Sequence, residues 1–131
     1  MKVTGSCHCG EIAFEAEVDP GSLRVCHCAD CQKLTGSAFR SNIAAPSFRL
    51  IRGKPTTYIK TADSGARRAH AFCPTCGSPI YATDPVTPKR YSLRIGTLDQ
   101  RHTLGAPTQQ IWYKSALPWA RLDKVTSHDR Q

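Results

Sequence analysis

The sequence predicts a mainly β protein built of small antiparallel sheets. Three observations carry this. Short segments of alternating or β-branched character recur along the whole chain. Nine glycines and nine prolines are spread throughout and punctuate those segments into strands and turns. No stretch sustains the 3.6-residue apolar period of a long amphipathic helix.

Taken in order, the predicted strands cover Glu11 to Val18, Ala38 to Ile43, Phe48 to Ile51 and Thr56 to Lys60. Ala69 to Phe72, Pro79 to Ala82, Tyr91 to Ile95 and Gln110 to Tyr113 complete the set. In the first, Ile12, Phe14 and Ala16 share one face and Glu11, Ala13, Glu15 and Glu17 the other, the pattern of a half-buried strand. Tyr91, Leu93 and Ile95 repeat it. Only Cys28 to Leu34 reads as a short helical turn.

A length of 131 residues suits one domain spanning 1–131. Hydrophobic content is 40%, much of it Ala, Cys and Tyr, so the core is expected to be thin and metal sites would add to its stability. No stretch has the length of an apolar membrane span, and Met1 to Ser6 leads into no apolar leader core, so a cytoplasmic protein is expected. In that compartment clustered cysteines hold metal more often than they form disulfides.

The seven cysteines fall in three groups: Cys7 and Cys9; Cys26, Cys28 and Cys31; Cys73 and Cys76. In the third, two intervening residues let one tight turn aim both sulfurs at one ion, and Gly77 supplies the positive φ that follows such a turn. In the first, residues i and i+2 of a strand face the same way. In the second, three thiolates lie within six residues and can cap one face of a metal. Structural zinc takes four protein ligands, whereas catalytic zinc keeps three and an open position, so seven cysteines divide as four and three. Two pairings satisfy the spacing. Cys7 and Cys9 join Cys73 and Cys76, leaving Cys26, Cys28 and Cys31 open, or they join two of the middle group. The first is favoured because it clips the N-terminal strand to the third group and keeps the middle cluster whole. Two purely structural sites, completed by His27, Asp30 or His70, are the alternative to an open one.

The formal charge is +8, with thiols counted neutral. Seven zinc-bound thiolates and two zinc ions would lower it to about +5. That residual basicity fits an acidic small molecule or nucleic acid, but the basic residues are dispersed rather than gathered in a stripe, which argues against nucleic acid. Arg67, Arg68 and Lys60 could draw carboxylates, although such runs are usually solvated loops. Thr35, Gly36 and Ser37 closely follow the middle cluster, so their N–H and hydroxyl groups are candidate substrate contacts. Alternation turns His27 away from its ligand neighbours and towards solvent. Phe39, Trp112, Tyr113 and Trp119 read as core or pocket wall.

The motifs Gly5-Ser6-Cys7-His8-Cys9-Gly10, Cys26-His27-Cys28-Ala29-Asp30-Cys31-Gln32-Lys33-Leu34-Thr35-Gly36-Ser37-Ala38-Phe39 and Phe72-Cys73-Pro74-Thr75-Cys76-Gly77-Ser78 together resemble the glutathione-dependent formaldehyde-activating enzyme family. That family includes the centromere-protein-V-like domains. Gly96-Thr97-Leu98-Asp99, Ile111-Trp112 and Leu117-Pro118-Trp119 are weaker echoes. The resemblance implies a β-tent of small antiparallel sheets stapled by two zinc ions per chain. It implies a structural ion on Cys7, Cys9, Cys73 and Cys76, and a substrate-facing ion on Cys26, Cys28 and Cys31. It also implies addition of glutathione to formaldehyde by an enzyme grouped with the carbon–sulfur lyases. From the residues alone, an electron-rich three-thiolate zinc suits a soft fourth ligand such as a substrate thiol. The expected function is therefore a zinc-dependent carbon–sulfur lyase acting on a thiol adduct. The competing readings are a zinc-scaffolded module that binds nucleic acid or protein, and a redox or metal-buffering protein.

Overall fold

The structure is a computed structural model that describes residues 1–130. The strands are β1 (Lys2–Ser6), β2 (Ala13–Cys26), β3 (Arg40–Arg52), β4 (Thr56–Thr61), β5 (Arg67–Phe72), β6 (Pro79–Thr83), β7 (Tyr91–Arg94), β8 (Gln109–Ile111) and β9 (Thr126–Ser127). One helix, α1 (Ala29–Thr35), follows β2, and short 3₁₀ turns fill the chain after β7. The protein is mainly β, as the alternation predicts. The segments expected at Ala38–Ile43 and Phe48–Ile51 are two ends of one long strand, β3, and the first predicted strand runs on as β2 to Cys26.

The strands hydrogen-bond into one continuous ladder in the order β4-β5-β6-β7-β3-β2-β8-β9, with β1 also on β2. Most pairs are antiparallel, but β2 with β8 and β8 with β9 are parallel, so the sheet is mixed. The small sheets that the sequence predicts join edge to edge into this one ladder. The physical reason lies at Asp19-Pro20-Gly21-Ser22, which reads as a turn. Asp19 Oδ1 accepts the Gly21 N–H at 3.0 Å, and the Ser22 hydroxyl donates to Asp19 O at 2.6 Å. Ser22 Oγ then accepts the Ala44 N–H at 2.8 Å, so the ladder continues through a register shift between Asp19 and Arg24. Such a bulge bends and twists a strand without ending it. The two halves of β2 thereby serve two walls, one with β1 and one with β8.

The sheet also curls. His70 on β5 is three ladder steps from Arg40 on β3, about 14 Å if the sheet were flat. Yet Arg40 Nη1 lies 3.3 Å from His70 Nδ1. Lys60 on β4 likewise reaches Asp30, just past β2, at 2.9 Å. The concave side therefore brings β4 and β5 over the end of β2 and the start of β3.

The core lies on the apolar face that alternation predicts: Ile12, Phe14, Ala16 and Val18 are buried, with Val3, Ile43, Ile80, Leu93 and Leu98 against them. Phe48, Tyr81 and Tyr91 add an aromatic cluster at centroid separations of 4.8 to 5.0 Å, in reach of favourable ring contacts. Cys7 and Cys73 belong to the same core cluster, so one cysteine group is continuous with the packing.

Candidate metal centres and their surroundings

Two sulfur groups form. Cys7, Cys9, Cys73 and Cys76 converge in one, and Cys26, Cys28 and Cys31 in the other, with the sulfurs of each group within 4.8 Å of one another. This is the first of the two pairings that the spacing allows. In the four-cysteine group the Sγ atoms of Cys7 and Cys9 are 3.6 Å apart and those of Cys9 and Cys73 3.7 Å. A tetrahedron with zinc–sulfur bonds of about 2.3 Å has edges of about 3.8 Å, so the residues fit a tetrahedral thiolate site.

The local backbone explains the convergence. Gly77 takes φ +77° and donates its N–H to Cys73 O at 2.9 Å, closing the turn that carries Cys73 and Cys76. The Ile12 N–H points at Cys7 Sγ from 3.2 Å, and Ser78 Oγ lies 3.2 Å from Cys76 Sγ. The Ser78 hydroxyl, with backbone N–H groups of Cys9 and Ser78, holds the Cys76 thiol down at about 5. N–H and O–H donors aimed at sulfur stabilise thiolates, the form that binds metal.

In the three-cysteine group, Cys26 ends β2 and is buried, while Cys28 and Cys31 are half-buried. Cys28 caps α1, its Sγ accepting the Cys31 N–H at 3.2 Å. One turn of helix thus folds Cys31 back onto Cys28. Hydrogen bonds from the Cys26 and Cys31 thiols hold the Cys28 thiol down at about 2, and the same pairing pushes Cys26 up. Three sulfurs sharing protons this tightly suit a cation that replaces those protons. His27 between them is corrected from solvent-facing to fully buried. Its Nε2 is 2.9 Å from Gln110 Oε1, and its ring packs edge-on against Phe39 and Tyr113. Alternation does turn it from the ligands, but β8 covers that face.

Thr35, Gly36 and Ser37 close α1. The Thr35 hydroxyl donates to Cys31 O at 2.7 Å, Gly36 takes φ +63°, and the Ser37 N–H donates to Thr35 Oγ1 at 3.2 Å. Their polar groups are engaged locally, and Thr35 also lines a cavity of about 330 Å³ with Phe39, Arg40 and Arg94. Lys60 stands beside the cluster, paired with Asp30. Burial would lower its pKa, but Asp30, then the sulfurs of Cys28 and Cys31, outweigh this and raise it. Arg67 and Arg68 lie within β5 rather than in a loop. Trp119 is corrected from core or pocket wall to the surface, where it is 78% exposed.

Two residues the sequence reading passes over dominate the concave side. Arg40 is the ladder partner of Cys26, and Arg94 is the ladder partner of Asn42. Both are buried, and both line the 330 Å³ cavity and a second of about 480 Å³ with Leu34, Tyr58 and His70. Nothing in the alternation of Tyr91 to Ile95 marks Arg94 as buried, because it is a charged residue on the face opposite Leu93.

The family model described as glutathione-dependent formaldehyde-activating enzyme matches residues 2–115. A Halomonas elongata protein with the provisional name glutathione-dependent formaldehyde-activating enzyme is 28% identical over 95 residues. The match spans 68% of this chain and 60% of that relative's length. A crystal structure of a Rhodobacter sphaeroides protein superposes with a TM-score of 0.60 at 24% identity, covering 79% of this chain and 96% of that one, a likeness of fold.

Proposed function

Because the chain belongs to the glutathione-dependent formaldehyde-activating enzyme family, we propose that it forms or breaks a carbon–sulfur bond between a thiol and an aldehyde beside Cys26, Cys28 and Cys31. The observation that carries this reading is the difference between the two sulfur groups. Four sulfurs converge in one, which is continuous with the core, and three in the other, whose ladder neighbour Arg40 lines two cavities. The four-cysteine group would hold a structural zinc and the three-cysteine group a catalytic one. When bound by three thiolates, zinc supplies an open, soft coordination position at which a sulfur ligand stays deprotonated near neutral pH.

The chain's own residues do the rest. Cys26 is fixed by β2, Cys31 by α1 and Cys28 as the cap of α1, and the group has no fourth cysteine to complete a tetrahedron. Leu34, Tyr58, Phe72 and Pro79 give the larger cavity an apolar lining. In the forward direction the substrate sulfur bonds to the aldehyde carbon and the carbonyl electron pair moves to oxygen. The thiol's proton is lost on one side and a proton is gained by that oxygen on the other. Thiol and aldehyde thus sum to the hydroxyalkyl thioether with nothing left over. Lys60 is a cation beside Cys28 and Cys31 that can face the developing negative oxygen. His70 is not a base for the thiol, because its Nδ1 is already engaged by two guanidiniums. Glutathione and formaldehyde are the pair that the family description supports, and carbon–sulfur lyase is the matching reaction class.

The test is exchange spectroscopy of formaldehyde and glutathione with the zinc-loaded protein. Catalysed exchange between free aldehyde and adduct is expected, falling to the buffer rate in Cys31→Ala while the circular dichroism is unchanged. Exchange at the buffer rate in the parent would remove the enzymatic reading.

A further inference from the structure

Arg40 and Arg94 are 4% and 6% exposed. Buried guanidiniums normally meet a carboxylate or a dense set of acceptors. Neither has a carboxylate partner; the ion pairs among the described residues are Met1–Glu17, Arg49–Glu15 and Lys60–Asp30. Each guanidinium carries five N–H donors, so the two present ten. The acceptors in reach are few. Arg40 Nη1 is 3.3 Å and Arg94 Nη2 3.1 Å from the same atom, His70 Nδ1. Arg94 Nη1 donates to Asn42 Oδ1 at 2.5 Å and reaches Ser92 O at 3.5 Å. The Nε atoms of both arginines are buried with no partner. A cluster so rich in donors and so short of acceptors has a place for an anion.

The two arginines also line both cavities, of about 480 and 330 Å³, together with Pro79. The larger cavity sets the apolar side chains of Leu34, Tyr58 and Phe72 beside the two guanidiniums, whose own burial strengthens a charge-assisted hydrogen bond. A guanidinium offers paired N–H groups that match the two oxygens of a carboxylate.

Resting on the reading of the three-cysteine group as the reaction site, we propose that Arg40 and Arg94 form a carboxylate-binding subsite, so that the substrate thiol carries a carboxylate close to its sulfur. Arg40 places the subsite beside the cluster, being the ladder partner of Cys26. His70 holds the two guanidiniums together as a shared acceptor without adding a charge. The carboxylate of such a thiol would fill the empty donors.

The experiment is isothermal titration calorimetry on the zinc-loaded full chain, in a buffer free of carboxylates and phosphate. The probes are mercaptoacetate and the neutral 2-mercaptoethanol, against the parent, Arg40→Gln and Arg94→Gln. Mercaptoacetate is expected to bind the parent about tenfold more tightly or better. That preference should shrink to about twofold in either variant, with 2-mercaptoethanol binding unchanged. Equal affinities in the parent overturn the subsite while leaving the thiol reading intact, and need no variant to fold. A preference that survives in both folded variants also overturns it. If neither thiol binds the parent, the reading of the cluster as a thiol site falls. Acetate then decides the subsite alone, through the Arg40 and Arg94 Nε–H resonances: shifts that saturate in the parent keep it, and their absence removes it.

Discussion

His70 sits with Nδ1 between two guanidiniums, half-buried on β5. Burial first, then the charges of Arg94, Arg40, Lys60 and Arg68, push it down to about 3 from an ordinary 6.5. The unfolded chain then binds a proton that the folded chain refuses. Stability from the neutral ring is therefore fully present above pH 6.5 and is lost as pH falls towards 3. His70→Gln should flatten that part of the curve in denaturant titrations from pH 7 to 4, compared with the parent under the same zinc loading. A curve as steep as the parent's would mean that His70 is not held neutral. Gly5 is a second decisive residue. A Cβ there would run into Phe14 Cζ and Thr97 O, a side chain and a backbone atom in the core. Gly5→Ala is expected to cost about 1–3 kcal/mol or more by overpacking, read as a lowered midpoint in urea with unchanged slope. The sequence alone does not single out this glycine, because its crowding comes from β2 and from the turn at Thr97.

At the scale of elements, the turn Cys73–Gly77 and the helix α1 divide the metal-binding roles. The turn is continuous with the core through Cys73, whereas α1 buries none of its residues. Cys73→Ala is therefore expected to lose an ion and about 4 kcal/mol or more of stability. Cys31→Ala should lose one ion of two and keep its circular dichroism. Elemental analysis of both variants beside the parent checks this; equal zinc in parent and Cys31→Ala would show that the middle group holds none. Both groups were readable as ligands because their spacing is local, although Cys7 and Cys9, expected as an i, i+2 strand pair, lie in a turn just past β1 that the Gly10 N–H closes on Cys7 O. β2 was readable only to Val18. Asp19 to Ser22 has turn chemistry, and the strand stays in the ladder through pairing with the distant β3, where the Ala44 N–H donates to Ser22 Oγ.

Over the whole molecule, the curl of the sheet decides what meets what. It carries Lys60 to Asp30 and His70 to Arg40, and it gathers positive charge on the concave side rather than along an outer stripe. Duplex DNA is accordingly expected to bind only weakly at low salt. A steep fall of a measurable affinity with rising salt would instead support a phosphate-binding surface. No helix of the described residues is long and apolar enough to cross a membrane. By itself the sequence determined the β class, the buried face of the first strand and the three cysteine groups, because alternation and ligand spacing are properties of neighbouring residues. Only the tertiary structure decided which cysteine groups join, that His27 is buried, and that Arg40 and Arg94 meet around His70. Those outcomes depend on register and curvature between strands far apart in the chain, where a side chain's surroundings come from distant segments and leave no local period to read.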